Sequence, residues 1–202
     1  GSALQEIGEL ETAILSFNKT LAINPQHPIA FFNMGNALTA KGELGLAIEC
    51  YKNALKIRPD NAEAYFNMGI VLENKGELDA AMESYEQAIK IKPDYAEAYS
   101  NMGLSLKDKG DLDAAIESYK QAIKIKPDYA EAHYNLGIAF KERGQLNDAI
   151  NSFQQALKIK PTYAEALIHL SIYSWLDDDL SRLSAYLATT MHSDQNKNQK
   201  DK

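Results

Sequence analysis

In the run AEAYFNMGIVLENKG, from Ala62 to Gly76, the residues Tyr65, Met68, Gly69 and Leu72 fall at i, i+3, i+4 and i+7. That spacing lines apolar or small side chains along one face of a helix. Gly76 then supplies a stop, since glycine enters the left-handed conformation that ends a helix without a steric cost. The following run, ELDAAMESYEQAIKIKPD, carries a second stripe through Leu78, Ala81, Met82, Tyr85, Ala88 and Ile89. Pro93 prevents its continuation, because proline lacks the N–H and clashes with the preceding turn. The pattern predicts two antiparallel helices joined by a short turn, and neither can bury its apolar face alone.

The same pattern returns every 34 residues, with prolines at Pro25, Pro59, Pro93, Pro127 and Pro161 and glycines at Gly8, Gly42, Gly76, Gly110 and Gly144. Segments 62–95 and 96–129 agree at 26 of 34 positions. A fixed period of this size marks stacked units, each supplying part of its neighbour's core. At the joint KPDYAE, Lys92 suits a helix C-terminus and Pro93 breaks the helix, while Asp94 with Glu97 reads as an Asp-x-x-Glu capping box for the next helix. Gly35, Gly69, Gly103 and Gly137, opposite Ala47, Ala81, Ala115 and Ala149, are expected to let the two helices of each unit approach closely.

These positions resemble the tetratricopeptide repeat. The first copy carries Phe31, Met34, Gly35, Leu38, Ala47, Tyr51, Ala54 and Pro59, and the second and third repeat the pattern from Tyr65 to Pro93 and from Tyr99 to Pro127. The fourth has His133, Leu136, Gly137, Phe140, Ala149, Phe153, Ala156 and Pro161, with His133 its one odd residue. The resemblance implies an all-α, right-handed superhelical solenoid, with helices near 28–41, 45–58 and onward by 34, and with the first helix of each pair on the concave face. Residues 1–27 are read as a Gly-Ser cloning scar and a truncated repeat, in which ALQEIGEL is the tail of a first helix and a second helix runs through Ala13 and Phe17 to Pro25. Residues 28–163 are four full units. Residues 164–192 form a degenerate repeat, with Ser171 in the glycine slot and a capping helix through Leu180, Leu183 and Leu187; residues 193–202 are read as a disordered polar tail.

Composition narrows the function. The chain has 202 residues, 45% of them apolar, enough for a substantial core, and no run of 18 or more apolar residues, so membrane insertion is not expected. A net charge of −7 without a basic stripe argues against nucleic acid as a partner, since phosphate binding needs clustered Lys and Arg. Cys50 stands where neighbouring units have Ser16, Ser84, Ser118 and Ser152, and reads as a small helix residue; no oxidising compartment is required, and the cytoplasm is the expected location. The histidines His27, His133, His169 and His192 share no ligand spacing, and no phosphate-cradling glycine motif or nucleophile elbow occurs. The chain reads as a non-enzyme with no cofactor and no metal.

What remains is binding of a protein or peptide on the concave face that the resemblance implies. On it Asn33, Asn67, Asn101 and Asn135 recur as a ladder, with His169 in the fifth slot. Asparagine offers a donor and an acceptor, which suits either the backbone of an extended peptide or a bond to a neighbouring helix. Beside the ladder stand Phe32, Phe66, Ser100 and Tyr134, then Asn36, Ile70, Leu104 and Ile138, then Thr39, Glu73, Lys107 and Lys141. The aromatics suit either pockets for ligand side chains or packing between units. The row Glu63, Glu97, Glu131 and Glu165 is accounted for by helix-start stabilisation. In the subclass of the family that clamps chaperone tails, Lys and Arg stand where this chain has Glu97, Asn101, Glu131 and Asn135, which argues against that role. The chain resembles more a second subclass, the long asparagine-laddered array joined to a sugar transferase, and that resemblance implies the substrate-recruiting region of a larger enzyme such as a glycosyltransferase; beside it stand an adaptor gripping a partner in its groove and end-to-end self-association through Leu4, Ile7 and Leu10.

Overall fold

In a computed structural model the backbone is described over residues 2–173, and side chains over residues 8–173. Nine helices are assigned there: α1 (Ser2–Ile23), α2 (Pro28–Lys41), α3 (Leu44–Ile57), α4 (Ala62–Asn74), α5 (Leu78–Ile91), α6 (Ala96–Asp108), α7 (Leu112–Ile125), α8 (Ala130–Glu142) and α9 (Leu146–Ile159). Residues 164–173 are helical as well. No strand occurs among the described residues, and the molecule is an all-α repeat solenoid. The expected capping helix through Leu180 to Leu187 and the tail 193–202 lie outside the described residues.

Each helix packs on the next in sequence, most extensively within the pairs α2/α3, α4/α5, α6/α7 and α8/α9. The centre of every pair is an aromatic ring seated on a glycine. A Cβ at Gly35, Gly69, Gly103 or Gly137 would stand 2.7, 2.5, 2.8 or 2.6 Å from a ring carbon of Tyr51, Tyr85, Tyr119 or Phe153. The glycines therefore make room for a ring, and not merely for the small residues facing them. All four rings are buried to 1% exposure or less, and Ala47, Ala81, Ala115 and Ala149 are fully buried beside them.

Helix ends follow local chemistry. Gly42, Gly76, Gly110 and Gly144 have φ of 82°, 78°, 86° and 81°, in the left-handed region. At the first of them Gly42 N–H donates to Thr39 O (3.0 Å) and Glu43 N–H to Leu38 O (2.9 Å), a paired-bond cap. Gly8 departs from this. The turn expected there is absent, and α1 runs unbroken through it. Glycine permits a reversal without enforcing one, and Gly8 is not among the left-handed glycines.

The capping box expected at Asp94 and Glu97 does not form either. The N-cap of α6 is Tyr95, one residue later, and it makes no side-chain capping bond. In the equivalent slot the acceptor is supplied by His27 Nδ1 for Ala30 N–H (3.0 Å) and by Asn61 Oδ1 for Ala64 N–H (3.1 Å). His133 bonds its imidazole Nε2 to the Pro127 carbonyl (3.0 Å), so the odd residue of the fourth copy fastens a joint.

Candidate functional site

The first helices of successive units, α2, α4, α6 and α8, touch one another, whereas the second helices of successive units do not come comparably close. A stack that touches on one side and spreads on the other curves toward the touching side. The first helices therefore line the concave face, where the sequence reading puts its candidates.

The asparagine ladder is present but not uniform. Asn67 donates through Nδ2 to Asn36 Oδ1 (3.0 Å), which also accepts from the Tyr51 hydroxyl (2.7 Å); that hydroxyl lies 3.3 Å from Thr39 Oγ1. This network walls a cavity of 280 Å³ together with Ala40 and Ile70. One joint further on, the Tyr85 hydroxyl donates to Glu73 Oε2 and the Ser105 hydroxyl to Glu73 Oε1, both at 2.9 Å, and Asn101 bears on the Tyr85 hydroxyl. Burial, followed by the Glu73 charge, pushes the Tyr85 phenol far up, so it stays a donor. Asn33 and Asn135 are half-buried and make no side-chain hydrogen bond among the described residues.

The aromatic slots serve packing while keeping part of each ring exposed. Phe32 leans on Tyr51 (6.1 Å between centroids), Phe66 on Tyr85 (6.0 Å) and Tyr95 (4.8 Å), and Tyr134 on Phe153 (5.7 Å) and Tyr163 (5.0 Å). All three are half-buried, while Ser100 in the same slot is buried. Lys107 pairs with Asp108 at 2.7 Å, and its side chain is only 19% exposed. Lys141 makes no ion pair among the described residues. Burial, and then Lys141, holds the His169 imidazole below its ordinary 6.5.

The joint's tyrosines belong to this face and were not among the candidates read from the sequence. Lys92, Lys126 and Lys160 lie 4.4, 4.7 and 4.8 Å over the rings of Tyr95, Tyr129 and Tyr163. The recurring Lys-Pro-x-Tyr was the available signal. Burial and then neighbouring carboxylates push the Tyr95 and Tyr163 phenols up to about 12. The acidic row reaches across units, since Glu97 pairs with Lys126 (3.1 Å) and Glu131 with Lys160 (3.9 Å). Burial acts to raise the Glu97 carboxyl, but its own backbone N–H and Lys126 outweigh that and leave it below its ordinary value. Glu63 and Lys92, in the same relation, make no ion pair among the described residues and instead line a 500 Å³ cavity with Phe32 and Arg58.

Among the described residues no group of three or more His, Cys, Asp or Glu is placed to hold a metal, and no helix is long and apolar enough to cross a membrane. Cys50 is buried, and burial followed by Glu49 pushes its thiol up, away from the reactive thiolate.

Comparison with known proteins gives a consistent answer. The family described as TPR repeat matches residues 35–76, 74–110 and 103–144, and the one described as Tetratricopeptide repeat matches 130–163. No curated protein matches the chain. Among solved structures, a crystal structure of MamA is 30% identical with a TM-score of 0.74, covering 78% of this chain and 92% of that one. YrrB, described as a TPR protein with an unusual peptide-binding site, is 24% identical with a TM-score of 0.71, covering 83% and 87%. MamA from Desulfovibrio magneticus RS-1 is 23% identical with a TM-score of 0.72, covering 78% and 89%; at this identity the last two speak to the fold alone.

Proposed function

The chain belongs to the tetratricopeptide-repeat family, whose members are in general protein-interaction scaffolds, and from that premise we propose that its concave face holds an extended segment of a partner protein. The observation that carries this is the 280 Å³ cavity between α2 and α4, where Asn67 spends its amide N–H on Asn36 and keeps its carbonyl oxygen for a peptide N–H. Half-exposed Phe32, Phe66 and Tyr134 lie along the same face and offer apolar surface to a partner's side chains.

Calorimetric titration of a selected peptide tests it. Asn67→Ala with Asn101→Ala should weaken many peptides alike, each lost hydrogen bond being worth about 0.5 to 1.5 kcal/mol. Phe66→Ala should instead change which peptides bind. Unchanged affinity in a folded double variant would reduce the ladder to a fastening between helices.

Self-association through α1 is a second reading, favoured by Leu15 and Ile23, exposed to 56% and 87%. The side chains of Leu4 and Ile7 lie outside those described. Light scattering that stays at monomer mass as concentration rises would exclude it.

A further inference from the structure

The hydroxyl of Tyr119 is closed off from water and has no hydrogen-bond partner among the described residues. An orphaned buried donor is costly and uncommon in a native fold. The other units show how this chain normally treats that position. Tyr51 donates to Asn36, and Tyr85 donates to the Glu73 carboxylate. At the fourth joint, where neither slot offers a carboxylate or an amide, the ring is Phe153 and no hydroxyl needs satisfying. Tyr119 alone keeps the hydroxyl while its acceptor slots hold Leu104 and Lys107. Its ring lies on Gly103 of α6, as the Tyr85 ring lies on Gly69 of α4, so the hydroxyl is aimed at the same part of the concave face.

We propose that the third unit reads an acidic side chain of the bound segment, with the Tyr119 hydroxyl donating to its carboxylate and Lys107 neutralising it. The reading rests on the groove-binding function above and names the chemistry of one of its subsites. Glu73 is the internal template: a carboxylate held there by a tyrosine and a second donor. Where that carboxylate is replaced by a lysine, Asn135, which stands in the next unit as Asn101 does beside Tyr85, makes no bond to the hydroxyl, and the carboxylate of a bound segment reaches it as Lys107 swings off Asp108 and opens the way from the groove. Lys107 then supplies the cation that meets it, and Lys141, which has no ion pair among the described residues, stands one unit further along. The carboxylates that act on the Tyr119 hydroxyl are Asp108, Glu73 and Glu142. Glu73 is held by Tyr85 and Ser105, and exposed Glu142 is screened by solvent.

The test uses the full chain and a bead library of octapeptides with both ends blocked, so that no terminal charge contributes. The wild type should enrich Asp or Glu at one position, and replacing that residue by Gln or Asn in a selected peptide should weaken titrated binding about tenfold. Against Tyr119→Phe and Lys107→Glu the difference should shrink to within about twofold, the second variant supplying internally the acceptor that Glu73 supplies one unit earlier. If Lys107→Glu fails to fold, Tyr119→Phe, which removes one unbonded hydroxyl, carries the test. Equal binding of acidic and amide peptides, as expected if the hydroxyl stays closed off when the groove is filled, or a penalty that persists in both variants, overturns the proposal while leaving the groove as a binding face. Retention of no peptide at all overturns the groove reading, and this one with it.

Discussion

The two halves of the groove share one core and part ways in how they satisfy the tyrosine that reaches the concave face. In the first half the acceptor is internal, Asn36 for Tyr51 and Glu73 for Tyr85. In the second half Tyr119 has none among the described residues and Phe153 needs none. Ring-on-glycine packing admits one solution, because a ring carbon occupies the space a Cβ would fill, and so it recurs in every unit. The slots one turn away have only to satisfy local polar groups, which several chemistries can do. There the units differ, and there, on the proposed function, a partner would be told apart from its competitors.

The common core can be broken in either half with the largest effect. Gly69→Leu and Gly103→Leu should each cost about 3 kcal/mol, at the upper end of overpacking, since even the added Cβ meets a buried ring. Exposed Lys124→Ala should stay within about 0.5 kcal/mol. Chemical denaturation measures all three, and equal midpoints for the glycine and lysine variants would contradict the packing.

The halves should then separate. Tyr85→Phe removes a bond to a charged carboxylate and should cost about 2 kcal/mol, whereas Tyr119→Phe should be neutral or stabilising because no bond is lost. Matching losses in denaturant for the two variants would erase the distinction between the halves.

The smallest effect lies at the joints. Glu97 has a carboxyl below its ordinary 4.5, so its contribution is complete above that value and is lost as pH falls through the lowered one. Glu97→Gln should therefore cost a few tenths of a kcal/mol, about 0.5 at most for a partly exposed pair, near neutral pH. The gap between variant and wild type should close below about pH 4.5. Thermal melts across that range would show it; a gap that widens in acid would mean the carboxylate is not stabilised by Lys126 and its own backbone.

Helix positions were legible because one unit, once read, fixes the rest: α3, α5, α7 and α9 begin at Leu44, Leu78, Leu112 and Leu146, in step with the repeat. What failed was local grammar without its packing context. Gly8 carries the stop signal of Gly42, yet a glycine only permits a reversal, and α1 continues through it. Asp94 has the composition of a cap but stands one residue before the slot that His27 and Asn61 use. On the concave face the register of the repeat gives the helix on which each candidate stands, but the bond from Asn67 to Asn36 spans 31 residues and depends on the angle between units, which no single-unit pattern encodes. The same holds for the lysine of one unit pairing with the glutamate of the unit before.

The claim that the concave face is the binding surface is tested most directly by amide NMR on the full chain, titrated with a peptide selected from the blocked library. Shifts confined to α2, α4, α6 and α8, strongest around Asn67, Ile70, Asn101 and Lys107, are the predicted result. Shifts centred on α3, α5 and α7, with the asparagine ladder unmoved, would contradict it.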